Sequence, residues 1–122
     1  MEKIVFIEDE RTLQKMLGEA LEAAGFSVAS ANDGETGLAL VLQEMPDLVL
    51  LDLILPKMDG FSVLQTLKGD EKTKDIPVMV LTNLETAEDV EKVITLGATT
   101  YLVKANYDLP DIVEKVREVL KK

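Results

Sequence analysis

The chain has 122 residues, 23 acidic and 13 basic side chains and a formal charge of −10, and it contains neither cysteine nor histidine. That length fits a single domain, residues 1–122, and the composition excludes disulfides, thiolate or imidazole metal ligands, and catalysis by cysteine or histidine. Because phosphate backbones repel a net anion, we expect a protein or a cation as the partner and no direct contact with nucleic acid.

The first apolar segment, 3–7, predicts a strand, and it is too short for a signal peptide's apolar region or a membrane span. We therefore expect a cytoplasmic protein without membrane contact. Apolar residues at helical spacing follow over 12–24, Gly25 ends that helix, and weaker alternation over 26–31 predicts a second strand. The pattern continues with helices at 38–45, 61–69, 85–96 and 109–120, and with strands at 48–52, 77–82 and 99–103.

This alternation predicts an α/β fold. Five strands that alternate with five helices through short connections form βαβ crossovers, and therefore a parallel sheet with helices on both faces. The continuous apolar run Leu48–Leu51 is typical of a strand buried on both faces, and it ends in Asp52. Pro56 and Asp59-Gly60 beyond it predict a turn and the start of a helix. Ligands of open α/β sheets bind beyond the carboxyl ends of the strands, so Asp52 lies where chemistry is expected.

Polar side chains end four of the predicted strands: the acids Glu8–Glu10, then Asp52, Thr82 and Lys104. The acidic loop lacks the glycine pattern that lets a backbone approach a pyrophosphate, which argues against a dinucleotide site. Clustered carboxylates favour a hard cation, most simply Mg²⁺. A lysine and a hydroxyl beside such a metal could hold a phosphoryl group, which makes Asp52 a candidate nucleophile.

Each of these residues also has a structural explanation when it is taken alone. An acidic loop is usually a solvated turn, Thr82 is a common cap or turn residue, and Lys104 is a typical surface lysine. Tyr101 is by default a core or edge aromatic residue. Asp52 is the stronger signal, because a charge that directly follows a buried apolar run needs a partner or a path to solvent.

The residues taken together carry a family resemblance that covers the whole chain. The matching features are Glu8-Asp9, Asp52 after Leu-Val-Leu-Leu, Pro56, Met58-Asp59-Gly60, Thr82 after Val-Leu, and Gly97-Ala98 followed by Tyr101-Leu102-Val103-Lys104. In these features the chain resembles the receiver domain of two-component response regulators, and it looks like a single-domain, chemotaxis-type receiver. The resemblance implies a doubly wound, flavodoxin-like sheet with strand order 2-1-3-4-5, the order known for chemotaxis receivers, which places the first and third strands side by side.

The resemblance also implies a phosphorelay role for the site. Asp52 would accept a phosphoryl group from the phosphohistidine of a sensor histidine kinase or of a histidine phosphotransfer protein. Asp9 and Asp52 would bind Mg²⁺ directly, Glu8 would act through water, and the backbone carbonyl of Ile54 would be a further ligand. Lys104 would bind a phosphate oxygen.

The output implied by the resemblance is a conformational switch and not the turnover of a substrate. Thr82 would move to hydrogen-bond the new phosphate, and Tyr101 would follow it inward. A downstream protein would then bind the face formed by the fourth helix, the fifth strand and the fifth helix, around Val90, Tyr101 and Val113. The chain would be a monomer or a phosphorylation-dependent dimer, and its only catalysis would be its own phosphorylation and slow dephosphorylation.

Two departures from the family pattern are visible. Lys104 is followed by Ala105, where the family usually has a proline after a cis peptide bond, so the loop is either a strained cis form or a trans form that alters the reach of Lys104. Ile54 and Leu84, two residues beyond Asp52 and Thr82, are apolar where many receivers carry polar groups that orient the hydrolytic water. Slow dephosphorylation is the implied consequence.

Two other functions remain open on the sequence. A Mg²⁺-dependent phosphohydrolase could use Asp52 as its nucleophile, but enzymes of the aspartyl-phosphate kind need a second acid two residues further on, where this chain has Ile54. A pseudo-receiver that binds partners without phosphorylation is favoured only if Ala105 misplaces Lys104.

Overall fold

The computed structural model describes residues 1–121 and consists of alternating strands and helices, as the sequence predicts. The strands are β1 (Lys3–Ile7), β2 (Ser27–Ala31), β3 (Leu48–Leu51), β4 (Val78–Thr82) and β5 (Thr100–Val103). The helices are α1 (Arg11–Ala23), α2 (Gly34–Glu44), α3 (Gly60–Gly69), α4 (Ala87–Thr95) and α5 (Leu109–Lys121), with a short 3-10 helix at Lys104–Asn106. None of the helices within residues 1–121 combines the length and the apolar character that a membrane crossing requires.

The five strands form one parallel sheet in the order β2-β1-β3-β4-β5, which confirms the fold class and the strand order implied by the resemblance. The register pairs Ile7 of β1 with Leu51 of β3, so these two strands end side by side. On the other side of β3, Thr82 of β4 pairs with Val103 of β5. The residues that follow β1, β3 and β5 therefore emerge along one edge of the sheet.

The core lies on both faces of the sheet, and the central strands divide their side chains between the two. Leu48 and Leu50 of β3 pack with residues of α1 and α5, whereas Val49 and Leu51 pack with residues of α2, α3 and α4. All four side chains are fully buried. This double burial explains why β3 is a continuous apolar run and does not alternate with polar residues.

The predicted start of the fourth helix differs from the structure because a side chain caps that helix. The sequence prediction began the fourth helix at residue 85, but α4 begins at Ala87 because Thr86 is its N-cap and accepts a hydrogen bond from the backbone N–H of Asp89 at 3.2 Å. Asp59 caps α3 in the same way through the N–H of Ser62 at 2.9 Å, which confirms the turn and helix start predicted at Asp59-Gly60.

The prediction for Val113 is wrong. Val113 was expected to contribute to the face formed by α4, β5 and α5, but only 8% of it is exposed, and it packs in the core cluster between α1 and α5. Helical periodicity identifies Val113 as apolar but does not say which neighbouring element its side chain faces. Val90 and Tyr101 are half-buried.

Candidate functional site

The acidic and basic strand-end residues meet at the carboxyl edge of the sheet. Lys104 Nζ lies 2.9 Å from Glu8 Oε1 and 3.0 Å from Asp52 Oδ2, and the more exposed Glu10 is 3.7 Å away. Glu8 is fully buried and Asp52 is 5% exposed. The expected convergence of these side chains is confirmed, and Glu8, Asp52 and Lys104 form a buried ion-pair network.

The neighbouring backbone positions Asp52. Its N–H donates to the carbonyl of Ile7 at 3.1 Å, which extends the pairing of β3 with β1 by one residue. Its Oδ1 accepts hydrogen bonds from the N–H groups of Leu53 at 2.7 Å and Ile54 at 3.4 Å, while Oδ2 contacts Lys104. The carboxylate is thus held between the first residues of its own loop and the ammonium group of Lys104.

The acids beside Asp52 form a group with the chemistry of a divalent cation site. Glu8, Asp9 and Asp52 each have a carboxylate oxygen within 4.8 Å of the others, and Asp9 is exposed. The Oε1 atom of Glu8 is buried and lacks a well-aligned hydrogen bond, although the Lys104 ammonium lies 2.9 Å from it and donates to Oε2 at 3.2 Å. Three grouped carboxylates, one of them facing solvent, fit Mg²⁺, which prefers oxygen ligands and retains several waters.

Burial changes the protonation of this network. Burial raises the pKa of Glu8 to about 7, although hydrogen bonds from the N–H of Glu10 and from Lys104 act in the opposite direction. Burial alone would lower the pKa of Lys104, but its hydrogen bonds to Glu8 and Asp52 outweigh that effect and raise it. Lys104 is therefore a fixed positive charge, whereas Glu8 is only partly ionised near neutral pH.

Thr82 and Tyr101 are connected through the backbone of one residue in the loop between β4 and α4. Thr82, fully buried at the end of β4, accepts a 3.5 Å hydrogen bond from the N–H of Leu84, and the hydroxyl of Tyr101 donates to the carbonyl of Leu84. Burial raises the pKa of the Tyr101 hydroxyl, so it stays protonated and remains a donor. A shift of Thr82 would disturb the loop that holds Tyr101.

The two departures from the family pattern have clear structural outcomes. The peptide bond between Lys104 and Ala105 is trans, as are the other peptide bonds of residues 1–121, and the chain enters the 3-10 helix there. The trans loop still brings Lys104 into contact with Asp52. Ile54 is 59% exposed, and Leu84 is half-buried against the core, so both positions present apolar groups next to the site.

The sequence analysis did not identify Gln14 as part of the site. Its side-chain NH₂ group has three acceptors within reach of its two N–H donors: the carbonyls of Glu8 and Ala31, at 2.9 and 3.1 Å, and Asn32 Oδ1 at 2.8 Å. Gln14 thus links the acidic loop to the end of β2 and to the residue that follows it. A polar residue on a helix carries no sequence signal for contacts of this kind, because two of its three partners, Ala31 and Asn32, lie 17 and 18 residues away in the chain.

The comparisons with known proteins agree with this fold. The family described as "Response regulator receiver domain" matches residues 4–117, and the chain belongs to it. Receiver domains are signalling switches of two-component systems, so the chain is such a switch.

Among its relatives is the DNA-binding dual master transcriptional regulator RpaA of Synechocystis sp., 42% identical over 122 residues, which are 100% of this chain and 50% of RpaA. The response regulator PleD of Caulobacter vibrioides is 36% identical over 102 residues, 84% of this chain and 22% of PleD. The chain therefore spans about half the length, or less, of the curated relatives it matches.

Solved structures of similar length superpose closely on the chain. The chemotaxis response regulator CheY4 of Vibrio cholerae has a TM-score of 0.91 and 27% identity, and the match covers 98% of this chain and 99% of CheY4. The Mn²⁺-bound form of the response regulator Rcp1 has a TM-score of 0.88 and 30% identity, covering 100% of this chain and 96% of Rcp1.

Proposed function

We propose that Asp52 accepts a phosphoryl group from the phosphohistidine of a sensor histidine kinase or of a histidine phosphotransfer protein. A carboxylate oxygen of Asp52 forms a bond to phosphorus while the bond from phosphorus to the donor's imidazole nitrogen breaks, which leaves an acyl phosphate on this chain. The observation that carries the proposal is the carboxylate itself, nearly buried at the end of β3, 3.0 Å from Lys104 and grouped with two further acids.

The test of this function uses the chain without a partner. Incubation with acetyl phosphate and Mg²⁺ is expected to add one phosphoryl group per molecule, measured by intact mass. Omission of Mg²⁺ should prevent the gain. A chain that gains no phosphate under any Mg²⁺ concentration would be a pseudo-receiver, although the contact of Lys104 with Asp52 favours phosphorylation. Turnover of a small phosphate ester without a stable adduct would support the phosphohydrolase instead.

The proposed metal is Mg²⁺, held directly by Asp9 and Asp52, through water by Glu8, and by the carbonyl of Ile54. The metal would offset the negative charge that develops between the carboxylate and the phosphoryl oxygens. The three clustered carboxylates support this assignment. The similar protein Rcp1 has been solved with Mn²⁺ bound, which also supports a divalent cation.

Asp9→Ala is expected to abolish Mg²⁺ binding and phosphorylation together. Asp9 is the solvent-facing acid of the cluster, and water in its place cannot supply the missing negative charge. Titration calorimetry with Mg²⁺ and mass measurement with acetyl phosphate check the two effects, with Glu2→Ala as an exposed acidic control on the far end of β1. Normal phosphorylation of the Asp9 variant would remove Asp9 from the site.

The proposed acyl phosphate is long-lived, because Ile54 and Leu84 offer no polar side chain that could orient the attacking water. Ile54 is 59% exposed, so a polar residue fits there without entering the core. Ile54→Asn is therefore expected to shorten the phosphoryl lifetime by about tenfold, somewhat less than the range for general acid or base assistance. The decay of the phosphorylated mass after removal of the donor measures it, and an isomeric Ile54→Leu variant should decay like the wild type. Equal phosphoryl lifetimes in the Ile54→Asn and Ile54→Leu variants would refute the idea that the apolar side chain at residue 54 slows hydrolysis.

The proposed switch runs from Thr82 to Tyr101. The new phosphate adds roughly −1.5 to −2 charges and strong acceptor oxygens near the Thr82 hydroxyl. Movement of Thr82 would break its hydrogen bond from the N–H of Leu84, whose carbonyl accepts the hydrogen bond from the Tyr101 hydroxyl. A downstream protein would then bind the face formed by α4, β5 and α5 around Val90 and Tyr101, and a phosphorylation-dependent dimer through this face is the proposed alternative to a monomer. Partner binding and phosphorylation would strengthen each other reciprocally.

Thr82→Ala is expected to permit phosphorylation but to weaken its effect on this face. Amide chemical shifts across residues 82–107, with and without beryllium fluoride and Mg²⁺, measure the response. In the wild type the changes should extend to Val90 and Tyr101, and in the Thr82 variant they should be confined mainly to the loops that carry Asp9 and Asp52. If the wild-type changes are already confined to those loops, no such switch operates.

A further inference from the structure

The loop from Leu53 to Asp59, between β3 and α3, determines the hydrogen bonding of Asp52. The N–H groups of Leu53 and Ile54 both donate to Asp52 Oδ1, so a shift of this loop changes the donors on the carboxylate. The far end of the loop is closed by the N–H of Gly60, which donates to the carbonyl of Leu53 at 2.9 Å. The position of the loop is thus part of the geometry at Asp52.

The tip of this loop is a tight and unfavourable turn. The N–H of Met58 donates to the carbonyl of Pro56 at 2.8 Å across Lys57, which has a φ of +69°. A positive φ is uncommon for a residue with a Cβ, and a three-residue turn of this kind is rare and strained. Such a turn persists only when surrounding contacts hold it.

The contact that holds the turn comes from the first residue of α2. The N–H of Gly34 donates to the carbonyl of Pro56 at 3.3 Å, the same oxygen that accepts from Met58. A Cβ on Gly34 would lie closer than 3.0 Å to both the carbonyl oxygen and the carbonyl carbon of Met58, so only glycine allows this approach. These are backbone atoms, and no side-chain rotation could relieve the clash.

The first turn of α2 is itself fixed in place. Asp33 is its N-cap and accepts hydrogen bonds from the N–H of Thr36 at 2.7 Å and from its hydroxyl at 3.0 Å. These bonds lower the pKa of Asp33, so the cap remains charged and intact at neutral pH. A rigid helix start therefore supports the strained turn.

We propose that Gly34 is a positioning residue for Asp52, although it belongs to a different helix and does not contact the carboxylate. Because Gly34 has no Cβ, the carbonyls of Pro56 and Met58 can pack against the start of α2, and this contact stabilises the turn at Lys57. That turn also keeps the N–H groups of Leu53 and Ile54 within hydrogen-bonding distance of Asp52 Oδ1. The consequence for phosphorylation rests on the proposed function of Asp52, whereas the consequence for the loop does not.

Gly34→Ala is expected to push the loop away from α2 and to slow phosphorylation by acetyl phosphate at saturating Mg²⁺. The loss should be at least about tenfold, since a displacement of about 1 Å at a reacting group can change a rate by about 100-fold. In the unphosphorylated protein the amide chemical shifts of Leu53 and Ile54 should move as their hydrogen bonds to Asp52 weaken. Asp33→Ala, which removes only the cap, should change both readouts in the same direction and by less.

Two variants separate positioning from a general loss of stability. Val41→Ala leaves a cavity two turns further along α2, where Val41 is fully buried, and Gly18→Ala adds a methyl group to α1 where nothing lies within 4 Å. Val41→Ala should lower stability, yet both variants should keep the wild-type rate and Leu53 shift. The proposal would be overturned if Gly34→Ala and Asp33→Ala kept the wild-type phosphorylation rate and amide shifts, or if Val41→Ala lowered the rate as much as Gly34→Ala.

If the wild type accepts no phosphate, the proposed function fails. Unchanged amide shifts of Leu53 and Ile54 in Gly34→Ala would still refute the positioning role.

Discussion

Asp52→Asn is expected to abolish the gain of one phosphoryl group from acetyl phosphate and Mg²⁺. The amide keeps nearly the same shape and can still accept the N–H of Leu53, which lies 2.7 Å from Asp52 Oδ1 in the wild type. It has no anionic oxygen to attack phosphorus, and it removes one of the three carboxylates grouped within 4.8 Å. Intact mass after incubation measures the effect, which should be complete.

The matched control for this variant is Asp59→Asn in the same loop. Asp59 is exposed, caps α3 through the N–H of Ser62, and does not belong to the acidic cluster. Asparagine is an equally good N-cap, so the fold should be unaffected and phosphorylation should proceed at the wild-type level. Phosphate that appears on the Asp52 variant, at whatever residue, would contradict the assignment of Asp52 as the acceptor.

The fold could be predicted from the sequence because its main determinants are local. Apolar spacing distinguishes strands from helices, and the apolar run before Asp52 identifies a central strand. The boundaries were less certain where they depend on capping by one side chain, as at Thr86. The order of the strands came from the family resemblance, since several orders satisfy the same alternation of elements.

The convergence of the strand-end residues could be predicted from the sequence, but their individual contacts could not. Polar residues at the ends of parallel strands must emerge along one edge, so the positions of Asp52 and Lys104 followed from the pattern. The direct pairing of Lys104 with Glu8, 96 residues away, depends on side-chain conformations that the sequence does not specify. The approach of Gly34 to Met58 is also non-local, and a glycine at a helix start is otherwise explained by the cap that precedes it.

Lys104→Met is expected to destabilise the metal-free protein by about 3 kcal/mol at pH 8, the lower end of the range for removing one partner of a buried ion pair. The Glu8 side chain is fully buried, and those of Asp52 and Lys104 are only 6% and 13% exposed, so solvent does little to screen their interaction. Methionine retains the bulk of the side chain and leaves the two acids without a cation. Urea unfolding gives the free energy of unfolding.

The loss should depend on pH through Glu8. Burial raises the pKa of Glu8 from 4.5 to about 7, so the folded chain binds more protons than the unfolded chain between those values, and stability falls as pH rises through that window. Removing Lys104 takes away a hydrogen bond that lowers this pKa, which extends the window upward. The destabilisation should therefore be smaller at pH 5, where Glu8 is protonated in both proteins.

Glu8→Gln combined with Lys104→Met should recover much of the stability at pH 8, and Mg²⁺ should do the same by replacing the lost positive charge. An equal loss at both pH values, unaffected by Glu8→Gln, would mean that Lys104 stabilises the fold by packing alone.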